Sequence, residues 1–166
     1  MQKTILLTQG KSTIVDSKDF NYLNQFKWYF MGNGRSNYAV RSHCSKNGKH
    51  STIFMHRVIL ERQGIKLEGM ETDHINRNGL DNRRENLRMV TVSQNQQNST
   101  KKINNKSGYK GIVFRSDVKK WRAQIGIDGK PQSLGYFKDK IQAAIVYNET
   151  AKKLFGEYAN INNIQI

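Results

Sequence analysis

Four side chains in one stretch have the types and spacing to hydrolyse a phosphodiester. Asp73 and His74 are adjacent, Asn86 follows twelve residues after His74, and Asn95 lies nine further on. Metal-assisted hydrolysis of this kind needs a carboxylate for the ion, a neutral imidazole to take a proton from water, and a second oxygen ligand. An imidazole with an ordinary pKa of about 6.5 is mostly neutral at pH 7. Taken alone, an Asp-His pair beside a turn is a locally hydrogen-bonded loop. The chemistry is carried by the four positions together.

Those positions need elements to hold them. Met70–Ile75 reads as a short strand, and the run from Asn76 to Asn82 is dense in turn residues, with Asn82 a turn former. Leu87, Met89 and Val90 offer a second strand, and Ser93 can cap a helix carrying Asn95 in its first turn. The expectation is a ββα unit. Neighbouring residues of a regular strand face opposite ways, so Asp73 and His74 can share a site only if the strand ends or twists there. Arg77, Arg83, Arg84 and Arg88 crowd the same segment, which tilts them toward phosphate contact.

The pattern DH…N…N, with NRRENLRMVTVSQNQQNS around it, resembles the HNH nucleases, in particular phage and intron-type HNH homing endonucleases. The resemblance implies His74 as general base, Asp73 and Asn95 as ligands of one Mg²⁺ or Mn²⁺, and Asn86 as the brace of the loop that orients His74. It also implies a ββα unit entering the DNA minor groove, and products with 5′-phosphate and 3′-hydroxyl ends. One active site per copy implies nicking by a monomer.

Composition narrows the alternatives. The 166-residue chain carries a formal net charge of +15, with 36% hydrophobic residues and a mean hydropathy of −0.76. Such an excess suits a polyanion, with nucleic acid foremost. The charge is spread: residues 1–97 hold 15 basic and 8 acidic side chains (+7), and residues 98–166 hold 13 and 5 (+8). Cys44 is the single cysteine, and with His43 and His50 it sits in a Gly-Lys-rich turn, so no structural zinc is expected. No signal peptide or membrane span is visible, which points to a cytoplasmic protein with no membrane association.

Along the chain, Thr4–Leu7 and Ser12–Val15 read as a hairpin. Asp16 or Ser17 can cap a helix with Phe20, Leu23 and Phe26 as its apolar stripe. Residues 27–30, 37–41 and 51–54 read as strands whose aromatics serve a core. This β-rich segment more loosely resembles the one preceding the motif in many phage HNH nucleases. Residues 55–63 read as a helix with Met55, Val58 and Ile59 on one side. His56, at its start, is read as a packing residue outside the catalytic set. Residues 98–107 read as a basic linker whose Lys101, Lys102 and Lys106 could follow a phosphate backbone.

Beyond the linker, residues 109–115, 121–127 and 132–137 are strand candidates, and Asp139 can cap a helix to about Leu154. Its stripe would be Ala143, Ala144, Tyr147, Ala151 and Leu154, with Gly156 stopping it. The pattern SGYKGI…WRAQI…LGYF…LFGEYANIN resembles the AP2 DNA-binding domain over nearly all of residues 107–162. That resemblance implies a three-stranded sheet in the major groove, with Lys110, Arg115, Arg122 and Gln124 as contacts and Lys120 and Gln132 near them. Lys110, Val113 and Gly126 stand where the plant domains place arginine, so the target sequence cannot be carried over. Trp121 is left open between packing and sugar contact.

The expected fold is α+β: an HNH nuclease domain over 1–97 (β-rich 1–54, ββα 55–97), a linker over 98–107, and an AP2-like module over 108–166. The expected function is metal-dependent cleavage of double-stranded DNA, without an obligate protein partner. The alternative is a non-catalytic, sequence-specific DNA-binding regulator with an inert HNH-like unit. RNA binding fits the charge but not the sheet.

Overall fold

Short alternations of apolar and polar residues, each cut by a turn, fold the first half of the chain into small sheets. A computed structural model describes residues 1–32, 36–99, 104–127 and 129–164. Lys101 and Lys102 lie outside the described residues. The chain divides into two compact units, Met1–Thr91 and Val92–Ile166. The helix carrying Asn95 belongs to the second unit, whereas the sequence grouped it with residues 1–97.

In the first unit β1 (Gln2–Leu6) and β2 (Ser12–Asp16) form the expected antiparallel hairpin. Helix α1 (Ser17–Leu23) follows, with Asp16 at its N-cap position. The Asp16 carboxylate accepts from the Arg84 backbone N–H (2.8 Å) instead of capping α1. Phe26 lies beyond the helix end and packs against the core from the following turn. Strands β3 (Tyr29–Gly32), β4 (Asn37–Cys44) and β5 (His50–Phe54) make a second antiparallel sheet, and β5 runs directly into α2 (Met55–Glu61). Met55, Ile59 and Leu60 of α2 join Leu23, Trp28, Ile5 and Val15 in one core. The Trp28 indole N–H donates to the Leu23 carbonyl (2.8 Å), so the largest core side chain is buried with its polar atom satisfied.

The motif segment forms β6 (Glu71–His74), β7 (Asp81–Asn82) and β8 (Leu87–Val90). Strands β6 and β8 pair antiparallel, as expected. Strand β7 was not anticipated: it pairs parallel with β2, Ile14 opposite Asp81 and Val15 opposite Asn82. A two-residue pairing across more than sixty positions leaves no periodic trace in the sequence. The same edge is reinforced by Arg84, whose guanidinium grips Asp19 in a bidentate pair (2.6 and 2.7 Å). The Asp19 side chain is fully buried.

The second unit begins with α3 (Val92–Asn98), so Ser93 lies inside the helix rather than capping it. Strands β9 (Ile112–Arg115), β10 (Lys120–Ile127) and β11 (Lys130–Phe137) form an antiparallel sheet in the order β11-β10-β9. Helix α4 (Lys140–Phe155) covers one face; the Asp139 carboxylate accepts from the Gln142 N–H (2.7 Å) and caps it as expected. Ala143, Ala144, Tyr147 and Ala151 bury against Ile112, Ala123 and Ile125. Leu154 departs from the expected stripe and is half exposed. Gly111, at φ +78°, approaches Tyr147 so closely that a Cβ would sit 2.3 Å from the ring. Of the described residues flanking the basic stretch, Asn98 and Ser107 are buried, and the Asn105 carboxamide bonds Ser107, Gly108 and Tyr109.

Removing one partner of a buried ion pair leaves an uncompensated charge. Arg84→Ala is therefore expected to lower the unfolding free energy of the first unit by about 3 kcal/mol, read as an earlier urea midpoint at unchanged slope.

Candidate functional site

The site is a loop of polar residues laced shut between β6 and β8. Asn86 is its centre: its side-chain Oδ1 accepts from the Asn76 N–H (2.9 Å), and its Nδ2 donates to the Asp81 carbonyl (2.7 Å). Its backbone carbonyl takes the Ile75 N–H (2.9 Å). Asn76 in turn donates from Nδ2 to Asp81 Oδ2 (2.8 Å). Arg83 grips the same carboxylate from Nε and Nη2 (2.8 and 2.7 Å), and its hydrogen bonds hold the Asp81 carboxyl below the usual range. Gly79 lets the loop approach the start of β4, where a Cβ would sit 2.0 Å from the Asn37 carbonyl oxygen.

Strand β6 ends at His74, whose carbonyl opens the next turn by accepting from the Arg77 N–H (2.8 Å). Asp73 stands opposite Arg88 across the β6–β8 ladder, and Asp73 Oδ2 accepts from Arg88 Nε (2.9 Å). Arg88 Nη2 lies 2.8 Å from that oxygen as an ion pair, though without the angle of a hydrogen bond. Residues directly opposite on a ladder share a face, so this pairing follows from the register. His74 instead turns toward Asn82, its Nε2 lying 3.1 Å from Asn82 Oδ1.

His74 is buried, and burial lowers its pKa below the ordinary value; the Asn82 hydrogen bond and the Asp73 and Asp81 charges oppose this without reversing it. The imidazole is therefore neutral at pH 7. Its ring meets His56 edge-on at 5.1 Å between centroids, and Tyr38 tilts over it at 6.1 Å. His56 is 7% exposed and is pushed down to about 3, by burial first and then by repulsion from His74 and Arg57. Burial disfavours a proton charge on either imidazole, and their closeness disfavours charging both at once.

Of the residues singled out in the sequence, the first unit brings together Asp73, His74 and Asn86. Asn95 lies on α3, in the second unit. Two residues outside that set touch His74. Asn82, taken as a turn former, is 1% exposed and bonds His74 itself, while Asn86 bonds the loop backbone. His56, set aside as packing, lies against His74. The β5–α2 junction at Phe54–Met55 was the available signal, because it turns the first helical residues back toward the sheet. Three of the four arginines expected near phosphate are held by carboxylates: Arg83 by Asp81 and Glu85, Arg84 by Asp19, and Arg88 by Asp73.

On the sheet of the second unit, the face turned away from α4 carries Arg115, Lys120, Arg122 and Gln124, with Val113, Ser133 and Tyr136 in register beside them. Arg115 is paired with Asp117 (2.8 Å), and Arg122 Nε donates to Ser133 Oγ (3.3 Å). Gln132 stands opposite Ile125, on the α4 side, because a bulge at Ala123/Gln124 shifts the register. Lys110 is also placed differently from the expectation. Its ammonium donates to the Gln97 and Ser99 carbonyls (2.7 and 2.6 Å), closing the end of α3. Trp121 packs edge-on against Phe114 at 5.0 Å.

Asp73 offers hard oxygen atoms, which suit Mg²⁺ or Mn²⁺ and not a thiolate-loving ion. Among the described residues no group of three His, Cys, Asp or Glu is clustered as a metal site, so protein ligands alone would leave most positions to water and substrate oxygens, as is usual for Mg²⁺. No helix among the described residues is long and apolar enough to cross a membrane.

The depressed pKa of His56 carries a sign. The unfolded chain binds a proton at about 6.5 and the folded chain only at about 3, so acidification favours unfolding over that window. Stability is fully present above about pH 6.5 and falls as pH drops toward 3, by at most about 1.4 kcal/mol per pH unit for one group. His56→Gln is expected to flatten this slope in urea melts between pH 4 and pH 7 (~one proton's worth).

Residues 54–97 match the family model described as HNH endonuclease. The chain is 32% identical over 161 residues to an uncharacterized HNH endonuclease of Acanthamoeba polyphaga mimivirus, covering 96% of this chain and 80% of that protein. It is 27% identical over 92 residues to Protein 3.8 of Escherichia phage T7, covering 55% of this chain and 75% of that protein. No solved structure matches. With a motif segment and a near full-length relative in agreement, the chain belongs to the HNH endonuclease family.

Proposed function

We propose that this protein hydrolyses a phosphodiester of double-stranded DNA, with His74 as general base. The observation that carries the reading is a neutral, buried imidazole held by Asn82 next to Asp73, inside the segment that matches the family. His74 takes the proton from the attacking water. Asn86 keeps the loop closed behind it, and Arg88 fixes the rotamer of Asp73. The resemblance assigns one Mg²⁺ or Mn²⁺ to Asp73 and Asn95; when bound, the cation supplies charge stabilisation to the phosphorane and the departing 3′ oxygen. Products carry 5′-phosphate and 3′-hydroxyl ends, and a monomer nicks.

In this reading residues 1–97 act as the nuclease domain and residues 108–166 as an AP2-like module whose sheet lies in the major groove. Arg115, Lys120, Arg122 and Gln124 are its contacts, on the face that α4 leaves uncovered. Lys110 closes the end of α3, Gln132 faces the helix side, and Lys101 and Lys102 serve as phosphate contacts in the basic linker. A homing-type enzyme would use such a module for site selection. The competing reading is a DNA-binding regulator with an inert HNH-like unit, and the Arg88 guanidinium on Asp73 is the observation that favours it.

A supercoiled-plasmid assay separates the two. Nicking is expected with Mg²⁺ and not with EDTA, and His74→Ala is expected to lower its rate by about 10²-fold or more while DNA affinity stays nearly constant. Loss of affinity at undiminished cutting would remove His74 from its role. Replacing Lys120 and Arg122 together by alanine is expected to weaken binding and to reduce the slope of log affinity against log salt by about one for each phosphate no longer neutralised.

A further inference from the structure

The hydrogen bonds behind His74 run in one direction, and that direction starts on the N-terminal hairpin. The Leu80 carbonyl can only accept, so the Thr13 hydroxyl, 2.7 Å away, spends its single proton there. Thr13 Oγ1 must then accept from Asn82 Nδ2, 2.8 Å away. The orientation of the Asn82 amide is set a second time by the Gly79 carbonyl, 3.4 Å from Nδ2, because the flipped amide would bring two oxygens together. Asn82 Oδ1 therefore faces His74 Nε2 and can only accept, so Nε2 carries the hydrogen. Thr13 and Asn82 are 0% and 1% exposed, which leaves water little chance to substitute for any link.

We infer that Thr13 is a positioning residue for His74: acting through Asn82, it fixes the imidazole as the Nε2–H tautomer and leaves Nδ1 as the nitrogen that receives the proton from water. The catalytic half of this inference rests on His74 as the general base; the tautomer does not. Without the hydroxyl, the Asn82 amide keeps only the more distant Gly79 carbonyl, 3.4 Å away, to hold its orientation, and a flipped amide would present N–H to Nε2 and select the opposite tautomer. A β-branched residue on β2 meets the need, since its backbone is held in the ladder opposite Ile5 while its hydroxyl reaches across to the loop.

The test is two-bond ¹⁵N–¹H correlation spectroscopy of the histidine rings in metal-free, full-length protein at neutral pH, with His74→Gln to assign the signals. The wild type is expected to show His74 protonated at Nε2 and bare at Nδ1. Thr13→Val, which keeps the shape, is expected to give a mixture of tautomers and a nicking rate lower by roughly tenfold, part of what general-base catalysis supplies. Thr13→Ser is expected to restore both. A wild-type spectrum with the proton on Nδ1 overturns the inference, even if Thr13→Val fails to fold. An unchanged His74 pattern in a folded Thr13→Val protein overturns it equally. The inferred tautomer, mixed in Thr13→Val, in a protein that never nicks DNA supports the role of Thr13 in setting it and overturns the enzymatic reading instead.

Discussion

An imidazole buried against a second imidazole is the constraint from which the first unit follows. His74 and His56 meet edge to face, with Tyr38 against both rings and Phe54 against His56, where a proton charge on either would go without solvent. Burial keeps both neutral, but a neutral histidine still has one donor and one acceptor to place. The donor goes to Asn82, and Asn82 is itself satisfied by Thr13 and Gly79. A buried polar network stabilises only when every member finds a partner. The loop between β6 and β8 is accordingly built from asparagines, whose amides both donate and accept.

The charge of the molecule divides into two populations. The guanidiniums densest in the motif are not spare: Arg83, Arg84 and Arg88 neutralise Asp81, Asp19 and Asp73. An arginine bound bidentately to a buried carboxylate could turn to phosphate only by stranding that carboxylate, at a cost of about 3–5 kcal/mol. A DNA phosphate contact in water-exposed surroundings does not supply that much. In the proposed reading the net excess of +15 acts on DNA through other cations, and the lysines, strongly hydrated and mobile, fit that role.

What could be read from the sequence follows range. Hairpins, the ββ pairing of the motif, the three strands of the second unit and the Asp139 cap all depend on residues near one another, and each was legible. The bonds of Lys110 to the carbonyls at the end of α3 could not be read, because backbone carbonyls carry no side-chain signature. The side of the sheet that Gln132 takes could not be read either, because a single bulge reverses which face the following residues present. Asn82 looked like its neighbours Asn76 and Asn78, which do serve the turn; only the long-range β7–β2 pairing sets it apart. Of the candidate site, residue types were legible and the network that orients them was not.

That difference bears on what the family motif contains. Residues 54–97 match as a segment, yet the groups that finish the site come from outside it. Thr13 supplies the end of the hydrogen-bond chain, Asp16 takes the Arg84 N–H, and Asp19 takes the Arg84 guanidinium. Tyr38, on β4, covers both imidazoles. None of these positions announces chemistry by its type. They do their work by partnering buried polar groups of the loop, and a loop so held can keep an imidazole within the narrow range of orientations that proton transfer requires. In this protein the motif names the reacting groups, and the β-rich segment before it determines which way they point.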